Sequence, residues 1–277
     1  MEVFDDHACL LGEGPLWHPT RKALFWFDIF GKTLHSKGET RQSWSFDEHV
    51  SAAGWVDEDT LLMASALGLW RFDISSGARE LVAPLEADNP ITRSNDGRAD
   101  PRGGFWIGTM GIKSEAHAGA IYRYYRGELR KLFDRITISN AICFAPDGRT
   151  AYFSDTFSKR IQKVALDDQG WPDSAPDVFA DLRDAGLNPD GAVVDVEGNL
   201  WNAQWGAGRV ACYGPDGAFR TSIALPASQA TCPAFGGPDG KTLFVTSASD
   251  GVDEERGGMT FAMKTDVQGQ REHQVTL

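Results

Sequence analysis

Short apolar runs broken by turn residues fill this chain. Six times, a stretch of small and apolar residues leads into a polar turn, and then into a run centred on an aromatic or β-branched residue. The six read EGPLWHP and LFW from 13, SAAGWVD and LLM from 51, NDGRADP and FWI from 95, NAICFAP and AYF from 140, DGAVVDV and LWN from 190, and CPAFGGP and LFV from 232. Apolar runs this short, bounded by turn signals, predict strands rather than helices. The turns (His18-Pro19, Asp57-Glu58-Asp59, Asp100-Pro101, Pro146-Asp147-Gly148, Glu197-Gly198 and Pro238-Asp239-Gly240) are built from residues that adopt hairpin dihedrals at low cost. A third strand often follows, as in GAIYRY from 119 and RVACY from 209.

Successive units begin 38, 44, 45, 50 and 42 residues apart. Four short strands per repeat of that length predict a propeller blade. The fold expected is therefore all-β: a six-bladed β-propeller with four-stranded antiparallel blades. No composition break or linker divides it, so a single domain spans 1–277. An open ring would leave unpaired strand edges. The strand-like segment before the first unit is therefore expected to join the last blade, beside GMTFAMK from 258.

Composition narrows the possible partners. Nine Trp and sixteen Phe favour strands, and thirty Gly with thirteen Pro supply the turns. A net charge of −12 argues against nucleic acid and anionic membrane as partners. No run of about twenty apolar residues is present to span a bilayer. The acidic start lacks the basic and apolar regions of a signal peptide. Cys9, Cys143, Cys212 and Cys232 form no CxxC pair, so they are expected as reduced thiols in a cytoplasmic protein. Nothing calls for an obligate protein partner.

Register converts the repeat into a site. Innermost strands of a propeller run the same way along the axis, so the opening residues of the units stand at one height around the channel. Those residues are Glu13, Ser51, Asn95, Asn140, Asp190 and Cys232. Singly, each could cap a strand end. Together, two carboxylates and two amides converge, and a divalent cation removes their mutual repulsion. The oxygen donors suit Ca²⁺, Mg²⁺ or Mn²⁺ best, with Zn²⁺ or Fe(II) left open.

Several motifs resemble the regucalcin/gluconolactonase family of lactone-hydrolysing propellers. They are GEGPLW from 12, SNDGRADP from 94 with GTM from 108, ISNAICF from 138, NPDGAVVD from 188 and AFGGPDGKTLFVTSA from 234. The resemblance implies metal ligands at Glu13, Asn140 and Asp190, and substrate contacts from Asn95 and from Arg93. It implies a metal-dependent hydrolase that opens a sugar lactone, a small-molecule substrate, to the sugar acid. Asp190 is then the candidate general base. Some family members carry a substrate-binding Glu just after the GTM element. Here that stretch reads Gly111-Ile112-Lys113, which leaves Lys113 or Glu115 as candidate contacts to sugar hydroxyls. Two rival readings keep the fold: hydrolysis of an organophosphate or other ester at the same metal, and a non-enzymatic calcium-binding propeller.

Other candidates are weaker. No Gly-x-Ser-x-Gly elbow exists, and the six histidines show no metal-binding spacing. His18 is expected to be solvated in its turn, and Cys232 to be a small channel-lining residue. Asp28 and Asp155, each fifteen residues after its unit's first residue, are expected at strand ends. Trp17, Trp26, Trp70, Trp106 and Trp201 are expected between blades. Trp205, in a Gly-rich loop, is the candidate rim aromatic.

Overall fold

A computed structural model describes all residues, 1–277. Twenty-four strands form six four-stranded antiparallel sheets. The innermost strands are Gly12–His18, Val50–Trp55, Thr92–Ala99, Ser139–Phe144, Asn188–Val194 and Ala230–Gly236. Each packs beside its counterpart in the next blade, and the last beside the first, so the sheets ring a common axis. No helix is long and apolar enough to cross a membrane.

The turn chemistry acts as expected. Gly148 and Gly240 end their Pro-Asp-Gly turns at φ 65° and 67°, a region where a Cβ would be strained. Because strand side chains alternate between the two faces of a sheet, each blade offers an apolar face to both neighbours. Six apolar clusters result, one at each blade-to-blade interface. Trp26, Trp106 and Trp201 are buried in three of them. Trp17 stacks on Phe244 across the junction of blades 6 and 1, and half-buried Trp70 carries Arg79 over its ring.

The ring closes as the sequence predicts. Glu2–Asp5 pairs antiparallel with Thr260–Lys264, the third strand of blade 6, and becomes that blade's outer strand. Segment 267–276 then runs beneath the ring and seals one end of the channel. Gln270 donates to the carbonyls of Phe144 and Val194, and the Trp55 indole donates to the Glu272 carbonyl. The Glu272 carboxylate meets Arg98 at 2.8 Å. Four blades are thus tied together by a segment with no strand pattern of its own.

His18 departs from expectation. It is fully buried, not solvated. Its Nε2 donates to the Asp57 carbonyl at 3.0 Å and its Nδ1 accepts the Arg21 N–H at 3.3 Å. A carbonyl can only accept and an amide N–H can only donate, so these partners fix the neutral tautomer. Burial accordingly lowers the His18 pKa to about 4.

Candidate active site

The open end of the channel is built by an irregularity repeated six times. Every innermost strand slips register against its neighbour at the same height: between Glu13 and Leu16, Val50 and Ala52, Ser94 and Gly97, Asn140 and Cys143, Pro189 and Ala192, and Ala230 and Pro233. A bulge of this kind re-aims side chains away from strict alternation. Gly14, at φ 54°, could carry no Cβ without striking the Ser51 carbonyl. A Cβ at Gly191 would collide with Cys232, which is buried and fills the space that glycine leaves.

Glu13, Arg93, Asn95, Asn140 and Asp190 line one cavity of about 220 Å³. All five are at least nine-tenths buried. A chain of hydrogen bonds fixes their orientation. Arg93 donates to Asn95 Oδ1 at 2.7 Å, which turns the Asn95 amide nitrogen toward the Ser139 carbonyl at 2.8 Å and Asn140 Oδ1 at 3.2 Å. On the far side, Thr156 donates to the Pro189 carbonyl at 2.7 Å and accepts from Asn140 Nδ2 at 2.8 Å. Thr156 therefore sets which way the Asn140 amide faces, with the Asn140 oxygen on the side of Asn95.

The electrostatics are strained. Burial, and then the charge of Asp96, push the Glu13 carboxyl up to about 8. Burial and then Glu13 raise Asp190 well above the usual carboxylate range. Burial lowers Arg93 to about 10 against the opposing pull of Glu13 and Asp190. Two converging buried carboxyls and an amide oxygen are a donor set that fits a hard divalent cation.

Lys113 and Glu115 lie off the cavity wall. Lys113 is exposed, and the Glu115 carboxylate is turned back onto the Lys113 N–H at 2.9 Å. Ser114, between them, lines the cavity instead. Trp205 also lines it and is partly exposed. Asp28 and Asp155 hold backbone N–H groups of the chain entering their blades: Leu10 and Leu11 for Asp28, Thr137 and Ile138 for Asp155. Thr156 and the buried Asp96 were not legible as site residues. Asp96 directly follows a register residue, which is the signal that could have singled it out. A larger groove of about 400 Å³ lies at the sealed end, but its acids, Asp239 and Glu272, are already paired with Lys264 and Arg98.

Fold and site together define a six-bladed propeller with an acidic pocket at one mouth of its channel. The chain belongs to the SMP-30/gluconolactonase/LRE-like family, which it matches over residues 11–249. It is 41% identical to a putative sugar lactone lactonase of Rhizobium meliloti (strain 1021), over 98% of this chain and 95% of that protein. It is 36% identical to the L-arabinolactonase of Azospirillum brasilense, over 88% of this chain and 83% of that one. The crystal structure of a calcium-binding protein, regucalcin, from Agrobacterium tumefaciens str. C58 superposes with a TM-score of 0.97 at 40% identity, covering 99% of this chain and 97% of that one.

Proposed function

We propose that this chain hydrolyses a sugar lactone to the sugar acid, with one divalent metal ion held by Glu13, Asn140 and Asp190. One observation carries the proposal: two carboxyls held buried against each other beside an oriented amide oxygen, in a family whose relatives are named for opening lactones. A cavity of about 220 Å³ suits a small ligand better than the roughly 300–1,000 Å³ pockets of drug-sized ones.

When bound, the ion would supply Lewis acidity to the lactone carbonyl and relieve the repulsion between Glu13 and Asp190. The protein's own groups do the rest. Asp190 takes a proton from the attacking water as its oxygen bonds to the carbonyl carbon. The ring ester C–O bond breaks, and the same proton passes to the leaving oxygen, which becomes the free hydroxyl of the product. Arg93 and Asn95, locked to one another, orient the substrate's oxygens, and Arg93 faces the negative charge that develops. Ser114 and Trp205 are the wall positions from which substrate preference is set. Lys113 and Glu115 act there only through the loop they share with Ser114.

A pH-indicator assay tests the proposal. A panel of five- and six-membered sugar lactones is presented to chelated protein, then again with Ca²⁺, Mg²⁺, Mn²⁺, Zn²⁺ or Fe(II) restored. Acid release from at least one lactone is expected, abolished by chelation and recovered with metal. If no lactone is opened with any metal, the proposal fails. The Agrobacterium structure, described as calcium-binding, favours a second reading: calcium is bound without turnover. Calcium binding by a chain inert toward every lactone and ester would establish it.

A further inference from the structure

The junction of blades 6 and 1 is where the ring closes, and its apolar core is the smallest. It holds four buried residues, Cys9, Leu24, Trp26 and Phe244. The other five junctions hold nine to thirteen. Segment 6–11 crosses here from the closing strand to blade 1.

Three nitrogen and sulfur donors converge at this crossing, although their sequence spacing matches no metal motif. One ligand atom from each of His7, Cys9 and His35 lies within 4.8 Å of the others. Cys9 is fully buried and His35 is 4% exposed, while His7 faces solvent. Neither ring nitrogen of His35 has a hydrogen-bond partner. Buried polar atoms are rarely left so, and two on one ring demand a partner. Trp26 stacks on His35 at 5.4 Å and holds its plane, and the His7 ring stands 4.7 Å away. The nearby carboxylates are committed elsewhere. Asp28 accepts from the backbone of Leu10, Leu11 and Gly31, and Asp5 pairs with Lys37 and Arg41.

We propose that His7, Cys9 and His35 form a second metal site, for Zn²⁺, that pins the crossing segment to blade 1 and reinforces the closure of the ring. A thiolate with two imidazoles suits zinc, whereas the channel's oxygen donors suit harder ions. Zinc bonds of about 2.0 Å to nitrogen and 2.3 Å to sulfur set tetrahedral ligand atoms roughly 3.5 Å apart. His7, the exposed member, swings in to close the difference, and water completes the shell on its open side.

The test uses the full chain carrying Asp190→Ala, which removes a proposed channel ligand. Co²⁺ stands in for zinc as a spectroscopic probe. A thiolate-to-cobalt charge-transfer band is expected to saturate at one equivalent and to vanish on adding Zn²⁺. It should be lost in Cys9→Ala and in His7→Ala. Because His7 is exposed, His7→Ala folds even where Cys9→Ala does not. The same comparison between the unsubstituted chain and His7→Ala is read in parallel. Zn²⁺ should raise the thermal midpoint of the parent by more than that of His7→Ala, in which only the channel can bind it, and an equal rise in both overturns the proposal. Absence of a thiolate band, or a band that survives both substitutions, overturns the proposal.

Discussion

Opposite ends of the same six strands enclose the two ends of the channel, yet charge is handled differently at each. At the sealed end, Arg98 faces Glu272 at 2.8 Å, and His18 is held neutral by two backbone partners. At the open end, Glu13 and Asp190 make no salt bridge, and burial holds both carboxyls away from their ordinary range. Satisfied charge at one end supports the fold. At the other, two carboxyls are buried without an ion pair, an arrangement that costs stability and is typical of a functional site. Four substitutions probe that contrast.

The largest effect is expected from Asp190→Ala. Turnover of a lactone substrate should fall by about 10³-fold. With chelator present, the thermal midpoint should hold or rise, because one of two repelling buried carboxyls is gone. Steady-state kinetics and a melting curve on the same sample check both halves.

At the sealed end the pattern inverts. Glu272→Ala leaves Arg98 buried without a partner and should cost about 3 kcal/mol of stability. The kcat of the folded protein should stay unchanged. Urea unfolding alongside kinetics separates the two.

His18→Gln sharpens the same point through pH. The folded-state pKa of His18 lies below its unfolded value of 6.5. Its contribution is therefore complete above pH 6.5 and is lost as pH falls toward 4, an effect of up to about 3 kcal/mol. Stability measured across that window should decline less steeply in the variant.

The smallest effect is expected from Thr156→Val, which frees the Asn140 amide to rotate. Metal affinity, read by calorimetric titration, should drop about tenfold. The midpoint of the metal-free protein should move little.

Much of this was legible in the sequence. The repeat gave the blade count, ring closure placed the first strand in the last blade, and register alone gathered Glu13, Asn95, Asn140 and Asp190. What escaped notice depends on contacts that no periodicity encodes. The bulges leave no pattern in hydropathy beyond the odd glycine. Thr156 acts through a hydrogen bond across blades. His18 sits in a turn by sequence, but is buried by the neighbouring blade's Asp57 loop. Lys113 and Glu115 follow a motif, but the loop leaves Lys113 exposed and folds the Glu115 carboxylate back onto the Lys113 N–H. His7, Cys9 and His35 meet only because the ring closes.

That closure has a consequence during synthesis. Val3 pairs with Phe261, so the strand Glu2–Asp5 has no partner until Thr260–Lys264 has been made. For most of translation it is a bare β-edge, the kind of segment that recruits other chains into aggregates. Glu2, Asp5 and Asp6 place negative charge along that edge, which opposes pairing between like strands.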